Sequence, residues 1–129
     1  MIDLVRNGEL LDLAVIRELA DVTADSRYTF LRSVLEGFAA DARGTLQRMH
    51  GHARMGDAAS LAREAHRLKG SSGTVGAIRL AGECLAIERA ARAGVCTGME
   101  PKIEQALDVL DATRVGLAAF FRGTIAAPA

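Results

Sequence analysis

The chain has 129 residues, half of them apolar, and its 16 lysine plus arginine residues are balanced by 16 aspartate plus glutamate. That length suits one domain around one buried core. A net charge of zero argues against nucleic-acid binding, which needs a basic patch to neutralise phosphates, and no run approaches the roughly 18 apolar residues of a membrane span. Met1-Ile2-Asp3-Leu4 lacks the basic start and long apolar run of a signal peptide, so the cytoplasm is the expected compartment. Cys84 and Cys96 are the two cysteines. Nothing suggests an oxidising compartment for them, and Cys84 falls on an apolar stripe as a small core residue.

Apolar residues recur at helical spacing almost throughout, and strand-like alternation is absent, which predicts an all-α fold. A short first helix is expected from Asp12, a good N-cap, through Leu13, Ile16 and Leu19. Asp25 or Ser26 can cap a long second helix with Leu31, Val34, Leu35, Phe38, Ala42, Leu46 and Met49 on one face. Gly51 to Gly56 read as a turn, and Asp57 as the cap of a third helix that breaks near Thr74 to Gly76. The fourth helix turns Leu80, Cys84, Ile87 and Ala91 inward and Arg79, Glu83, Arg89 and Arg92 outward. After a loop from Gly94 to Gly98, Pro101 suits the first turn of a fifth helix on which Ile103, Leu107, Leu110, Leu117 and Phe121 line up. Long helices with short connections predict an antiparallel up-down four-helix bundle, with the additional short N-terminal helix packed as a lid on one end. One domain over 1–129 is expected, its core spanning about 10–121 and its tail frayed from Thr124 to Ala129.

The third helix carries the most informative stretch, Ala65-His66-Arg67-Leu68-Lys69-Gly70-Ser71-Ser72-Gly73-Thr74-Val75-Gly76-Ala77. At roughly 100° per residue Leu61, Leu68 and Val75 share one side, and His66 lies about 160° from Leu68, facing water. Its outer-face neighbours are Ala62, Arg63, Lys69 and Gly70 one turn away, with Ala59 and Gly73 a further turn out. An exposed imidazole among small residues and cations suits close approach by a macromolecule or a phosphoryl group. Each glycine inside a helix costs about 1 kcal/mol relative to alanine, and serine roughly half that. Gly70-Ser71-Ser72-Gly73 is therefore a local conflict of the kind found at functional surfaces. Leu61, Leu68, Ser72 and Val75 keep helical phase through it, against a helix that stops at Gly70.

A phosphorylatable histidine must be neutral, accessible and near positive charge. Lys69 at i+3 supplies the charge, and as a like charge it disfavours imidazolium, leaving a ring nitrogen free as nucleophile. Gly70 keeps the space beside the ring open. Ser71 and Ser72 are weaker candidates; Ser72 lies on the inner side and is expected to bond a carbonyl of its own helix. Arg63 shares the His66 face and reads as a solvated arginine or a hold for an acidic partner. His50 and His52, at i and i+2, point about 200° apart and cannot chelate one ion from a helix, so no metal is expected. Glu64 precedes His66 by only two positions, which rules out the Glu-x-x-His pattern of di-iron bundles. Glu88 and Arg92 at i, i+4 are expected to form an exposed pair worth a few tenths of a kcal/mol.

His66-x-Leu68-Lys69-Gly70-Ser71-Ser72, followed by Val75-Gly76-Ala77 and then Leu80, Cys84, Leu85 and Glu88, resembles the histidine-containing phosphotransfer (HPt) family. Upstream, Leu13, Leu19, Phe30-Leu31, Leu35, Phe38, Leu46 and Gly56-Asp57 match its apolar rhythm. The resemblance spans Leu10 to Gly94 and, more loosely, the last helix. It implies His66 as phospho-acceptor, with Lys69 and Gly70 as accessory residues. Ala62, Arg63, Arg67 and Gly73 are then expected to dock the partner, with Arg67 in a variable position that bears on partner choice. The implied role is a monomeric phosphorelay carrier between the receiver domain of a hybrid sensor kinase and that of a response regulator. With no Gly-x-x-x-x-Gly-Lys-Ser/Thr motif the chain is expected to be no enzyme and to hold no cofactor. The magnesium and acidic pocket of the reaction then belong to the receiver. The alternatives are a helical module that docks on and regulates an enzyme without phosphotransfer, and a histidine domain phosphorylated directly by a dimeric kinase.

Overall fold

Asp12 opens the first helix as its side chain suggests: Oδ1 accepts from the backbone N–H groups of Ala14 (3.1 Å) and Val15 (3.4 Å), orphan donors of a first turn. The computed structural model describes residues 10–23 and 29–122. Among them the helical periodicity becomes α1 (Leu13–Thr23), α2 (Thr29–Arg54), α3 (Ala58–Thr74), α4 (Ile78–Arg92) and α5 (Met99–Phe121), with no strand. The suggested caps at Asp25 and Ser26 and the tail from Thr124 lie outside the described residues.

Helices α2 to α5 form a ring of antiparallel neighbours, α2 against α3, α3 against α4, α4 against α5 and α5 back against α2. Inside the ring lie Leu35, Leu46, Met49, Leu61, Leu80, Ile87, Ile103 and Leu110, nearly all without solvent contact. The α3–α4 pair packs most extensively. Its buried faces are rich in small residues, Ala62, Ala65 and Ser72 on α3 and Cys84 and Ala91 on α4, which lets the helix axes approach closely. Burial pushes the Cys84 thiol up to about 12, so it stays protonated, and both cysteines are free. The α1 lid reaches the α3–α4 turn, where Asp12 N–H donates to Gly76 O (2.7 Å) and Arg79 N–H to Leu10 O (3.4 Å). Gly76 is required there. Its φ is +82°, and a Cβ would stand 3.0 Å from Asp12 O.

Three expectations need correction. Gly51 to Gly56 is not a turn; α2 runs on to Arg54 because Ala53 keeps the apolar phase and is buried, and only Gly56, with φ +71°, turns the chain. On α2 the inward face is Leu31, Leu35, Ala39, Ala42, Leu46, Met49 and Ala53, whereas Val34 is 43% exposed and Phe38 half-buried at the margin. On α5 the inward series is Ile103, Ala106, Leu110, Thr113, Leu117 and Phe120, at alternating steps of three and four; Leu107 and Phe121 lie at its edge.

Candidate functional site

Helix α3 is set in phase by Asp57, whose carboxylate accepts from Ser60 N–H (3.1 Å) and is held below the usual carboxylate range by the Ser60 side chain first and by this backbone bond second. The helix then runs without a break through Gly70-Ser71-Ser72-Gly73 to Thr74. His66 stands in its middle with 60% of its side chain exposed. A Cβ added at Gly70 or at Gly73 would meet nothing within 4 Å, so the strip along the imidazole is open. Only one side of the ring is walled. Lys69 and Ala62 lie about 60° and 40° from His66 around the helix, both toward buried Ala65, and α4 closes in on that side.

The wall is Glu88. Its carboxylate is buried, 6% exposed, beside the surface histidine. Oε2 lies 2.9 Å from His66 Nδ1 and accepts from Arg92 Nε (2.8 Å), with Arg92 Nη2 in ion-pair contact at 2.7 Å, while Oε1 accepts from Lys69 Nζ (2.8 Å). The Lys69 hydrogen bond does most to lower its pKa, to about 2; burial opposes this, and the bonds from Arg92 and His66 add to it. The expected exposed Glu88–Arg92 pair is thus half wrong: the pair exists, but Glu88 faces inward. Physically, Glu88 follows Cys84 by one turn and precedes Ala91 by three residues, inside the arc those buried residues define. An ionised carboxylate is an acceptor only, so His66 Nδ1 bears a proton toward it, and in the neutral imidazole the lone pair is then on Nε2, pointed away from the wall. The charge of Lys69 therefore does not act on the imidazole alone, because a carboxylate bridges the two.

The other expected site residues fall into three groups. Gly73 and Arg63 are exposed on the His66 face, Arg63 donating to Ser60 Oγ (3.0 Å). Arg67 is exposed but turned toward α2, donating to Glu64 (3.1 Å) and Thr45 (3.5 Å), beside the Arg48–Glu64 pair that ties α2 to α3. Ala62 is 7% exposed and belongs to the core, so it cannot be a docking residue; its small angle from His66 is on the buried side. Ser72 bonds no carbonyl. Its buried Oγ has no partner, and Ser71 Oγ instead donates to Leu68 O (3.2 Å). His50 Nε2 stands 3.6 and 3.8 Å from Glu100 and Glu104 of α5, and no group of three or more potential metal ligands occurs among the described residues.

The Hpt domain family model matches residues 33–115. The chain belongs to the histidine-containing phosphotransfer family. It is therefore a phosphotransfer carrier of two-component phosphorelays. HPt domains work with receiver domains of kinases and response regulators and carry no ATP site of their own. The HPt fold of this chain is similar to the crystal structure of histidine-containing phosphotransfer protein B (HptB) from Pseudomonas aeruginosa PAO1, with TM-score 0.77 and 30% identity over 87% of this chain and 94% of that one. No curated protein matches the chain. In this HPt domain no described helix is long and apolar enough to cross a membrane.

Proposed function

We propose that His66 Nε2 is the phospho-acceptor of this HPt domain, taking a phosphoryl group from an aspartyl phosphate of one receiver domain and passing it to the aspartate of another. The observation that carries this reading is the 2.9 Å contact between Nδ1 and the buried Glu88 carboxylate, which leaves Nε2 as the nucleophile. As the N–P bond forms, the P–O bond to the receiver aspartate breaks and the carboxylate leaves. The ring, still bearing its Nδ1 proton, becomes cationic. The fixed negative charge of Glu88 stabilises that cation in both directions of transfer. Lys69 Nζ, at the same carboxylate, is within side-chain reach of the face where the phosphoryl oxygens arrive, and Gly70 and Gly73 leave the approach clear. Arg63 and Arg67 flank it as contacts for an acidic receiver surface. The receiver supplies the magnesium ion and its acidic pocket.

The test is transfer from a receiver domain charged with labelled acetyl phosphate. Acid-labile label is expected on the wild-type chain and none on His66→Gln, whose helical circular dichroism and Tm stay near wild type because surface changes usually alter stability by about 0.5 kcal/mol or less. Label on the His66→Gln chain would overturn the assignment and direct attention to His50 and His52.

A further inference from the structure

We propose that Arg92 is a positioning residue of the phosphotransfer: it holds Glu88 against His66 while Lys69 leaves that carboxylate for the phosphoryl oxygens. The inference rests on the reading of His66 as acceptor and adds a residue to it.

Two anions call on Lys69 in turn. In the free domain Nζ donates to Glu88 Oε1 at 2.8 Å. On transfer, a group with about two negative charges arrives at Nε2, which points away from the carboxylate that Lys69 occupies. The ammonium follows that group by leaving Oε1. Its departure matters because the Lys69 bond does most to keep Glu88 ionised, against the opposing effect of burial. A carboxylate only 6% exposed cannot be left without a cation at low cost. Glu88 therefore needs a second cation that stays.

Arg92 has the geometry for this. One turn beyond Glu88 on α4, it donates through Nε to Oε2 (2.8 Å) and brings Nη2 to 2.7 Å of the same oxygen. That oxygen is the one 2.9 Å from His66 Nδ1. The planar guanidinium fixes the oxygen in direction as well as in charge, whereas an ammonium on a flexible stem acts as a point charge. The two cations also grip the carboxylate from opposite ends of the hairpin: on α3, Lys69 lies closer to Gly76 than His66 does, and on α4, Arg92 lies farther from Gly76 than Glu88 does. The nearby arginines of α3 are engaged elsewhere, Arg63 with Ser60 and Arg67 with Glu64 and Thr45. Two cations on one carboxylate leave a surplus positive charge at the free site. The phosphoryl group takes up that surplus through Lys69, while Arg92 and Glu88 remain paired behind the cationic ring.

The experiment follows the ring nitrogens of His66 in the isotope-labelled domain, free and phosphorylated by phosphoramidate, with transfer to a receiver domain measured alongside. In the free domain Lys69→Ala and Arg92→Gln should each keep wild-type nitrogen-15 shifts, because one cation remains on Glu88. The double variant should lose them. After phosphorylation Arg92→Gln should lose the wild-type Nδ1 shift and transfer to the receiver about 10-fold more slowly, while Arg92→Lys stays near wild type in both. Arg92 is 59% exposed, so its replacement is expected to leave the fold intact. A merely structural role would move the free and phosphorylated rings of Arg92→Gln alike, and that result would overturn the proposal. So would a wild-type shift and rate in phosphorylated Arg92→Gln, with label still dependent on His66 and the acceptor assignment therefore intact. Label on His66→Gln would overturn the acceptor assignment and this inference with it.

Discussion

Glu88→Gln separates the charge of the buried carboxylate from its shape. Glutamine fills the same volume and its carbonyl oxygen can still accept one hydrogen bond, but the negative charge shared by Lys69, Arg92 and His66 is gone. The pKa of Glu88 is held at about 2 against an ordinary value of 4.5, which corresponds to about 3 kcal/mol as an upper figure. Arg92 is 59% exposed and His66 60%, so water screens two of the three partners and about 1–2 kcal/mol is the expected loss at pH 7. Because the folded pKa is depressed, this stabilisation is complete above the unfolded value and disappears as pH falls toward 2. The stability gap between wild type and Glu88→Gln should thus be full at pH 6, shrink below pH 4.5 and fall to about a quarter at pH 2.5.

Urea unfolding followed by circular dichroism at those pH values measures the gap. A gap that stays constant from pH 6 to pH 2.5 would refute the ionised carboxylate, and with it the argument for the proton on Nδ1. In the transfer assay the same variant lacks the charge that stabilises the cationic ring. A fall of about 10- to 100-fold is expected, equivalent to about 1.4–2.7 kcal/mol in the transition state. Unchanged transfer together with lost stability would assign Glu88 a structural role only.

Lys69→Ala removes a donor from Glu88 as well as a cation from the phosphoryl approach, so it should slow transfer about 10- to 1,000-fold; transfer at the wild-type rate would exclude the lysine from the reaction. Ser72→Ala deletes an unpartnered buried hydroxyl and improves helix propensity, so the domain should gain about 1–2 kcal/mol; a lower Tm would mean that Oγ is satisfied. Gly70→Ala should stabilise by up to about 1 kcal/mol, since the residue is helical and its Cβ position is open. Gly70→Gln should also fold yet transfer slowly from a receiver and less slowly from a small phosphodonor, and equal losses with both donors would show that Gly70 supports the histidine rather than the docking.

How much of this was legible in the sequence depends on whether one helix or two had to be considered. The exposure of His66, the continuation of α3 through its glycines and the caps at Asp12 and Asp57 are properties of a single helix, and helical phase alone reveals them. Glu88 required a second helix. Read alone, Glu88-x-x-x-Arg92 is an ordinary surface pair. Folding α3 and α4 about Gly76 changes that, because His66 precedes the glycine by ten residues and Glu88 follows it by twelve, placing both at one level of the hairpin. The same limit explains Ala62. It is 40° or so from His66, and only the position of α4 decides that this side is covered rather than open. Ser72 was hidden for a different reason: an inward serine normally finds a carbonyl, and its phase does not reveal that the rotamer forgoes one.

The conflict between stability and sequence in α3 has the same two-helix origin. Gly70 and Gly73 weaken the helix on its open side, where a Cβ meets nothing and packing gives no compensation. On the walled side, Lys69 and His66 are both anchored to Glu88 of α4, the helix with which α3 shares its largest interface. The glycines therefore clear space without loosening the imidazole, because its orientation is fixed from the neighbouring helix rather than from its own exposed face. This predicts a division of effects. Substitutions along the open strip should change rates with a receiver while leaving the ring tautomer unchanged, whereas Glu88→Gln should disturb the tautomer while leaving the strip open. Nitrogen-15 shifts of the His66 ring in Gly70→Gln and Glu88→Gln distinguish the two, and a changed tautomer in the glycine variant would show that the strip and the wall are not independent.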